Sequence, residues 1–174
     1  MGVPYVPIIG LIGTDILKRR LDMKIVENPF NPDVKTVVAQ SLRPDIAIFH
    51  AQSADKLGNI SCGYDAEVVM LAEGAKHVIV TVESVVDKIT EKDSVGTYIP
   101  SILVNSIVHA PYGAHPSGCA GLYDPDKVHM QAYVKASQSE ETFQEYLKKY
   151  VHGISSHEEY IDMAIPDHIK KTIK

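Results

Sequence analysis

The sequence predicts an α/β fold: a mainly parallel open sheet with flanking helices. Three observations carry that reading. Residues 45–50 form a short apolar run after Pro44, and a helix-forming stretch then leads to a second, β-branched run at 77–82. Strand, helix, strand with short connections is a βαβ unit, which places its strands parallel. Residues 102–108 add another apolar run. Beyond it, Phe143, Tyr146, Leu147, Tyr150 and Val151 recur at helical spacing, so the C-terminal third carries an amphipathic helix with one buried face.

Taken in order, residues 2–13 interleave apolar positions with Pro4, Pro7, Gly10 and Gly13 and read as an irregular extended segment. Thr14 and Asp15 can cap a helical turn over 16–20. Residues 24–27 and 35–39 read as two short strands, separated by the turn formers Asn28-Pro29-Phe30-Asn31-Pro32-Asp33. The strand at 45–50 runs on into Ala51-Gln52-Ser53-Ala54-Asp55-Lys56-Leu57-Gly58-Asn59. There Asp55 can accept backbone N–H bonds while Gly58 or Asn59 turns left-handed. Asp65 is placed to cap a helix over 67–72, stopped by Gly74. Ser137 and Glu140 have capping-box spacing ahead of the amphipathic helix, which Gly153 closes. Residues 156–163 suggest a shorter helix, and 167–171 a final frayed or helical stretch. The expected organisation is one domain over 1–174, with a helical C-terminal segment from about 127 to 174.

Composition narrows the function classes. The chain is 45% hydrophobic and 22% charged with a net charge of −5, the profile of a soluble globular protein. It lacks the basic face of a nucleic-acid binder. No apolar run approaches the roughly 20 residues that span a bilayer, and the N-terminal residues do not resemble a secretory signal. Two distant cysteines, Cys62 and Cys119, suggest no disulfide framework. A cytoplasmic protein is expected, with no partner among nucleic acids or membranes.

The densest chemistry lies at 109–119, His109-Ala110-Pro111-Tyr112-Gly113-Ala114-His115-Pro116-Ser117-Gly118-Cys119. It leaves the end of an apolar strand, and ligand crevices of open α/β sheets lie beyond the strands' carboxyl ends. Zinc could use His109, His115 and Cys119, but the spacing matches no known short zinc pattern, and no metal is expected. A nucleophilic Ser117 or Cys119 would need an oriented base, and the G-x-S-x-G elbow is absent. The favoured reading is a ligand-lining loop: Gly113 lets backbone approach a substrate, while Tyr112, His115 and Ser117 supply hydrogen bonds. His50 and Gln52 project to one side of their strand and join this list as candidate substrate-binding residues. Glu83 ends the strand at 77–82. It could serve as a catalytic carboxylate, but a cap or buried ion pair is the stronger reading. No Walker loop or G-x-G-x-x-G is present, so no nucleotide cofactor is indicated.

The wording of several blocks goes further. Gly2-Val3-Pro4-Tyr5-Val6-Pro7, Leu11-Ile12-Gly13-Thr14-Asp15, Asn28-Pro29-Phe30, Arg43-Pro44-Asp45-Ile46-Ala47-Ile48-Phe49-His50-Ala51-Gln52 with Ala54-Asp55 and Gly58-Asn59, Val78-Ile79-Val80-Thr81-Val82-Glu83, Ala110-Pro111-Tyr112-Gly113-Ala114-His115-Pro116-Ser117 and Gly121-Leu122-Tyr123-Asp124 follow in that order. Together they resemble the A (α) subunits of the glutaconate-type family I CoA-transferases, from residue 2 to about residue 163. The resemblance implies the CoA-transferase (NagB/RpiA-like) superfamily fold and transfer of CoA from an acyl-CoA to a small carboxylic or dicarboxylic acid. In that chemistry a glutamate attacks the thioester, and an anhydride gives way to a glutamyl-CoA intermediate. The nucleophile belongs to a B-type partner subunit, so no catalytic residue is expected on this chain and Glu83 is a poor candidate. CoA and acyl-CoA are substrates, and no cofactor is implied.

The A subunits of that family are longer, and the resemblance begins near their middle. The chain is therefore expected to be either a C-terminal fragment of a split or truncated subunit or a chain with a separate N-terminal half-subunit as a further partner, and the sheet edge left by the missing strands should favour association. Decarboxylation or hydrolysis of CoA esters on the same fold, and a non-catalytic structural remnant, stand as the alternatives.

Overall fold

The computed structural model describes residues 3–63 and 67–170, which fall into two compact units dividing at Pro44 and Asp45.

The first unit is a three-stranded antiparallel sheet in the order β1-β3-β2, from β1 (Tyr5–Ile8), β2 (Met23–Asn28) and β3 (Asn31–Gln40). The turn at Asn28-Pro29-Phe30 makes a hairpin of β2 and β3, and Asn28 Oδ1 accepts the Phe30 N–H at 2.9 Å. The stretch read as irregular holds a short strand, β1, which pairs Tyr5 with Gln40 and Ile8 with Val37. Its Pro7 shows no helical or alternating signal, so only the pairing reveals it. α1 (Asp15–Arg19) follows Thr14, whose hydroxyl bonds Leu11 O instead of capping the helix. Val37 is the one buried hydrophobic among this unit's described residues.

The second unit holds a five-stranded mixed sheet in the order β7-β5-β4-β6-β8. β4 (Ile46–Asp55), β6 (His77–Val86) and β8 (Ser106–His109) are parallel, while β5 (Ile60–Cys62) and β7 (Thr97–Ile99) add antiparallel to the other side of β4. The parallel strands are those read from the sequence. The antiparallel pair is new, because three-residue strands carry no periodicity to read. The run at 102–108 is divided: residues Ser101–Leu103 form a 3-10 turn, and pairing begins only at Ser106.

Asp55 turns β4 into β5. Its carboxylate accepts the N–H groups of Leu57, Asn59 and Ile89, each at 2.9 Å, and Gly58 sits at φ 95°. Burial works against the charge, but the bonds from Asn59, Ile89 and Leu57 hold the carboxyl down at about 2.

α2 (Glu67–Gly74) crosses one face of the sheet; the proposed cap, Asp65, lies outside the described residues. Val68 and Ala72 of α2 pack with Ala47, Ala51, Val78, Val80 and Val82 in the main core. Small residues on β4 let the helix backbone come close, and β-branched ones on β6 fill the remaining space. The opposite face of the same strands carries His50, Gln52, Thr81 and Glu83, since side chains alternate.

The C-terminal segment is α3 (Lys127–Ala136), α4 (Glu140–Leu147) with a π-helical turn over Lys148–His152, α5 (His157–Ala164) and α6 (Asp167–Lys170); Lys171 lies outside the described residues. Ser139, not Ser137, caps α4, accepting the Thr142 N–H at 3.3 Å. Ser137 is still helical (φ −71°, ψ −1°) as the end of α3, so its side chain cannot serve the next helix. Ser156 caps α5 through the Glu159 N–H.

Candidate functional site

The carboxyl end of β8 leads into the 110–126 loop, and the polar face of the sheet meets that loop at Glu83, which lies within β6 and not at its end. The Glu83 side chain is fully buried. One oxygen, Oε1, lies 2.7 Å from His50 Nε2 and accepts the Tyr123 hydroxyl at 2.5 Å. The other, Oε2, accepts the Tyr112 backbone N–H at 2.5 Å. Parallel register places His50 beside Thr81, whose Oγ1 is 2.7 Å from His50 Nδ1. Burial would favour the neutral acid, but the bonds from His50, Tyr123 and Tyr112 outweigh it and hold the Glu83 carboxyl below the usual range. Burial and the same carboxylate push the Tyr123 phenol well up, so it stays a donor.

The hub shapes the loop. Tyr112 adopts φ 59°, a left-handed conformation disfavoured for a bulky residue, while its N–H points at Glu83 and its hydroxyl bonds Lys170 O at 2.8 Å. Gly113 follows, and the space beside it explains its identity. A Cβ there would lie 2.8 Å from Ala110 O and 2.8 Å from His50 Cε1. Tyr123 Oη, besides donating to Glu83, accepts the Ala114 N–H at 3.1 Å. Cys119 and Tyr123 form an isolated bridge, and residues 117–125 line a concavity of about 460 Å³.

The candidate residues separate into two groups. His50, Gln52, Tyr112 and Gly113 gather where the polar face of β4 and β6 meets the loop after β8: His50 is 16% exposed at its side chain, and Gln52 reaches across to Ala120 O at 3.1 Å. Ser117 lies on the loop, its hydroxyl donating to Ala114 O at 2.7 Å. His115 turns inward. Its side chain is 1% exposed, with Nδ1 2.8 Å from Tyr160 Oη and Nε2 3.3 Å from Asp126 Oδ2.

Neither candidate nucleophile in the loop is activated. Cys119 is buried, and burial followed by the nearby Glu83 pushes its thiol up to about 11, so it stays protonated near neutral pH. The Ser117 hydroxyl is bonded to a carbonyl, with no base in its contacts. The zinc grouping of His109, His115 and Cys119 does not form. Among the described residues, the triplets whose donor atoms converge are His50, Glu83 and Cys119, and His115, Asp126 and His129. Sequence reasoning missed Thr81, Tyr123, Asp126, His129 and Tyr160. Asp126 and His129 alone had a local signal, an Asp three residues before the N–H it caps.

Comparison with known proteins places this geometry. A family model described as Coenzyme A transferase matches residues 11–110. The chain is 34% identical over 179 residues to the A subunit of glutaconate CoA-transferase from Acidaminococcus fermentans, covering 93% of this chain and 56% of that one. It is 30% identical to the A subunit of 3-oxoadipate CoA-transferase from Pseudomonas knackmussii, covering 91% of this chain and 56% of the relative. The crystal structure of glutaconate coenzyme A-transferase from Acidaminococcus fermentans superposes with a TM-score of 0.85 at 30% identity, over 98% of this chain and 59% of that chain. The chain thus spans a little over half the length of these relatives. No helix among the described residues is long and apolar enough to cross a membrane.

Proposed function

The chain belongs to the coenzyme A transferase family, and from that premise we propose that it forms the A-type wall of a CoA-transferase whose nucleophilic glutamate is carried by a B-type partner subunit. The observation that carries this reading is the state of Glu83. It is a carboxylate of β6 that reaches the candidate loop, yet it is fully buried and accepts from His50, Tyr112 and Tyr123. A nucleophilic carboxylate needs a free lone pair aimed at a carbonyl; this one holds a loop in shape.

The reaction we assign moves CoA from an acyl-CoA to a small carboxylic or dicarboxylic acid. The partner's glutamate attacks the thioester carbonyl and expels CoA thiolate, leaving an acyl–glutamyl anhydride. The thiolate then attacks the glutamyl carbonyl and releases the first acid, giving glutamyl-CoA. The acceptor carboxylate reverses the two steps and leaves as the new acyl-CoA. Each step puts negative charge on a carbonyl oxygen, which donors placed in advance stabilise. His50, Gln52, Tyr112, Gly113 and Ser117 are the proposed substrate-side contacts, with His115 supporting the loop from behind. The chemistry uses no resident cofactor. The enzyme we assign is cytoplasmic.

The test is to co-express the chain with the B-type partner and with any N-terminal half encoded beside it. CoA exchange between acetyl-CoA and glutaconate is then followed, and the covalent intermediate is trapped with hydroxylamine. Exchange, with the trapped label on the partner, is expected. Absence of exchange from every such complex, or label on Glu83, overturns the proposal.

A further inference from the structure

Behind the Glu83 hub lies a second polar cluster that the transfer reaction does not use. His115, Asp126 and His129 are all buried, and one donor atom from each lies within 4.8 Å of the other two. Asp126 divides its oxygens. Oδ1 accepts the His129 N–H at 2.9 Å as the cap of α3, and Oδ2 faces His115 Nε2 at 3.3 Å. Each imidazole has one nitrogen held by a tyrosine: Tyr160 Oη is 2.8 Å from His115 Nδ1, and Tyr146 Oη is 2.8 Å from His129 Nε2. An outer partner on the second ring nitrogen is how proteins orient histidines that bind metals.

A further feature points the same way. A charge-assisted N–H···O bond closes to about 2.7–2.9 Å, and the His115–Asp126 separation of 3.3 Å is longer. It equals the edge, about 3.3 Å, of a tetrahedron with zinc–ligand bonds of roughly 2.0–2.1 Å.

We propose that His115, Asp126 and His129 bind one zinc ion, with water as the fourth ligand. The site is structural: it ties the 110–126 loop to α3 and, through Tyr146 and Tyr160, to α4 and α5. Zinc takes the lone pair of His115 Nε2, an oxygen of Asp126 and one ring nitrogen of His129. His115 keeps its Nδ1–H for Tyr160, and any proton between His115 and Asp126 leaves to solvent. Imidazole and carboxylate together suit zinc among the divalent ions. The site stands apart from CoA transfer, because metal binding is read directly.

The experiment uses the full chain, stripped with chelator and titrated with zinc chloride by calorimetry, with bound metal counted after desalting. One equivalent is expected. Asp126→Asn, which retains the cap, lowers the affinity by at least about tenfold, and Cys119→Ser, in the other converging triplet, leaves it unchanged. Circular dichroism of the metal-free variants checks folding, and His129→Gln replaces Asp126→Asn if the latter does not fold. Absence of binding, binding that survives loss of these ligands as an adventitious ion only, or binding abolished by Cys119→Ser overturns the proposal.

Discussion

Glu83 and Asp126 are both buried carboxylates with an imidazole close by, yet they organise the chain differently. Glu83 accepts from His50, Tyr112 and Tyr123, residues 29 to 40 positions away in sequence. Asp126 caps the helix that begins beside it and reaches His115 only 11 positions away. Glu83 is thus a long-range knot joining β4, β6 and the loop, while Asp126 is chiefly a local device that also faces a second cluster. The difference shows how one side-chain chemistry can set either tertiary shape or local order, depending on where its donors come from.

The contrast should break most visibly at Glu83. Glu83→Ala leaves His50, the Tyr112 N–H and the Tyr123 hydroxyl without their acceptor, and each buried group left unsatisfied costs about 1–3 kcal/mol. Urea denaturation reads this directly. A loss below about 1 kcal/mol, the worth of an ordinary hydrogen bond, would demote the hub to a passive contact. Gly113→Ala comes next, since its Cβ meets Ala110 O and the His50 ring at 2.8 Å. Overpacking of this kind costs about 1–3 kcal/mol. It should also slow CoA exchange in the assembled complex by more than the drop in melting temperature explains, because it displaces His50.

The smallest effect separates the two clusters by pH. Burial, followed by His115, lowers the folded pKa of His129, whereas the unfolded imidazole takes up a proton near pH 6.5. The unfolded state then binds more protons, so stability rises with pH. The neutral-His129 contribution is complete above about pH 6.5 and is lost as pH falls from there through the folded value. Glu83 and Asp126, also lowered, keep their contributions until pH falls through the carboxylate range and below it. Wild type should therefore lose stability relative to His129→Gln as pH falls below about 6.5. Equal slopes for the two proteins would show that His129 is not held neutral.

Much of the fold was legible because its signals are local. The β-branched run of β6, the Asn28-Pro29-Phe30 turn, the Asp55 turn and the short helix read over 156–163 each lie within a few residues of the signals that specify them. β5 and β7 were not legible: strands of three residues, with Ile60, Ser61 and Cys62 all buried, show neither alternation nor length. Ser137 was read as the cap of α4, but the role falls to Ser139, whose backbone is extended. The loop at 109–119 was identified as the chemical focus, but the orientation of its side chains was not. His115 reads as a ligand contact in sequence and faces Tyr160 and Asp126 in the fold.

The sequence by itself determined the family, the parallel strands and the loop where polar groups concentrate, since periodicity, caps and motif wording are written in consecutive residues. Only the tertiary structure decided that Glu83 is an anchor, that Gly113 is required by the His50 ring, and that His115 meets Asp126 and His129 in a buried cluster. Those facts depend on which distant donors converge on a carboxylate as water is excluded, and that pairing has no counterpart in the spacing along the chain.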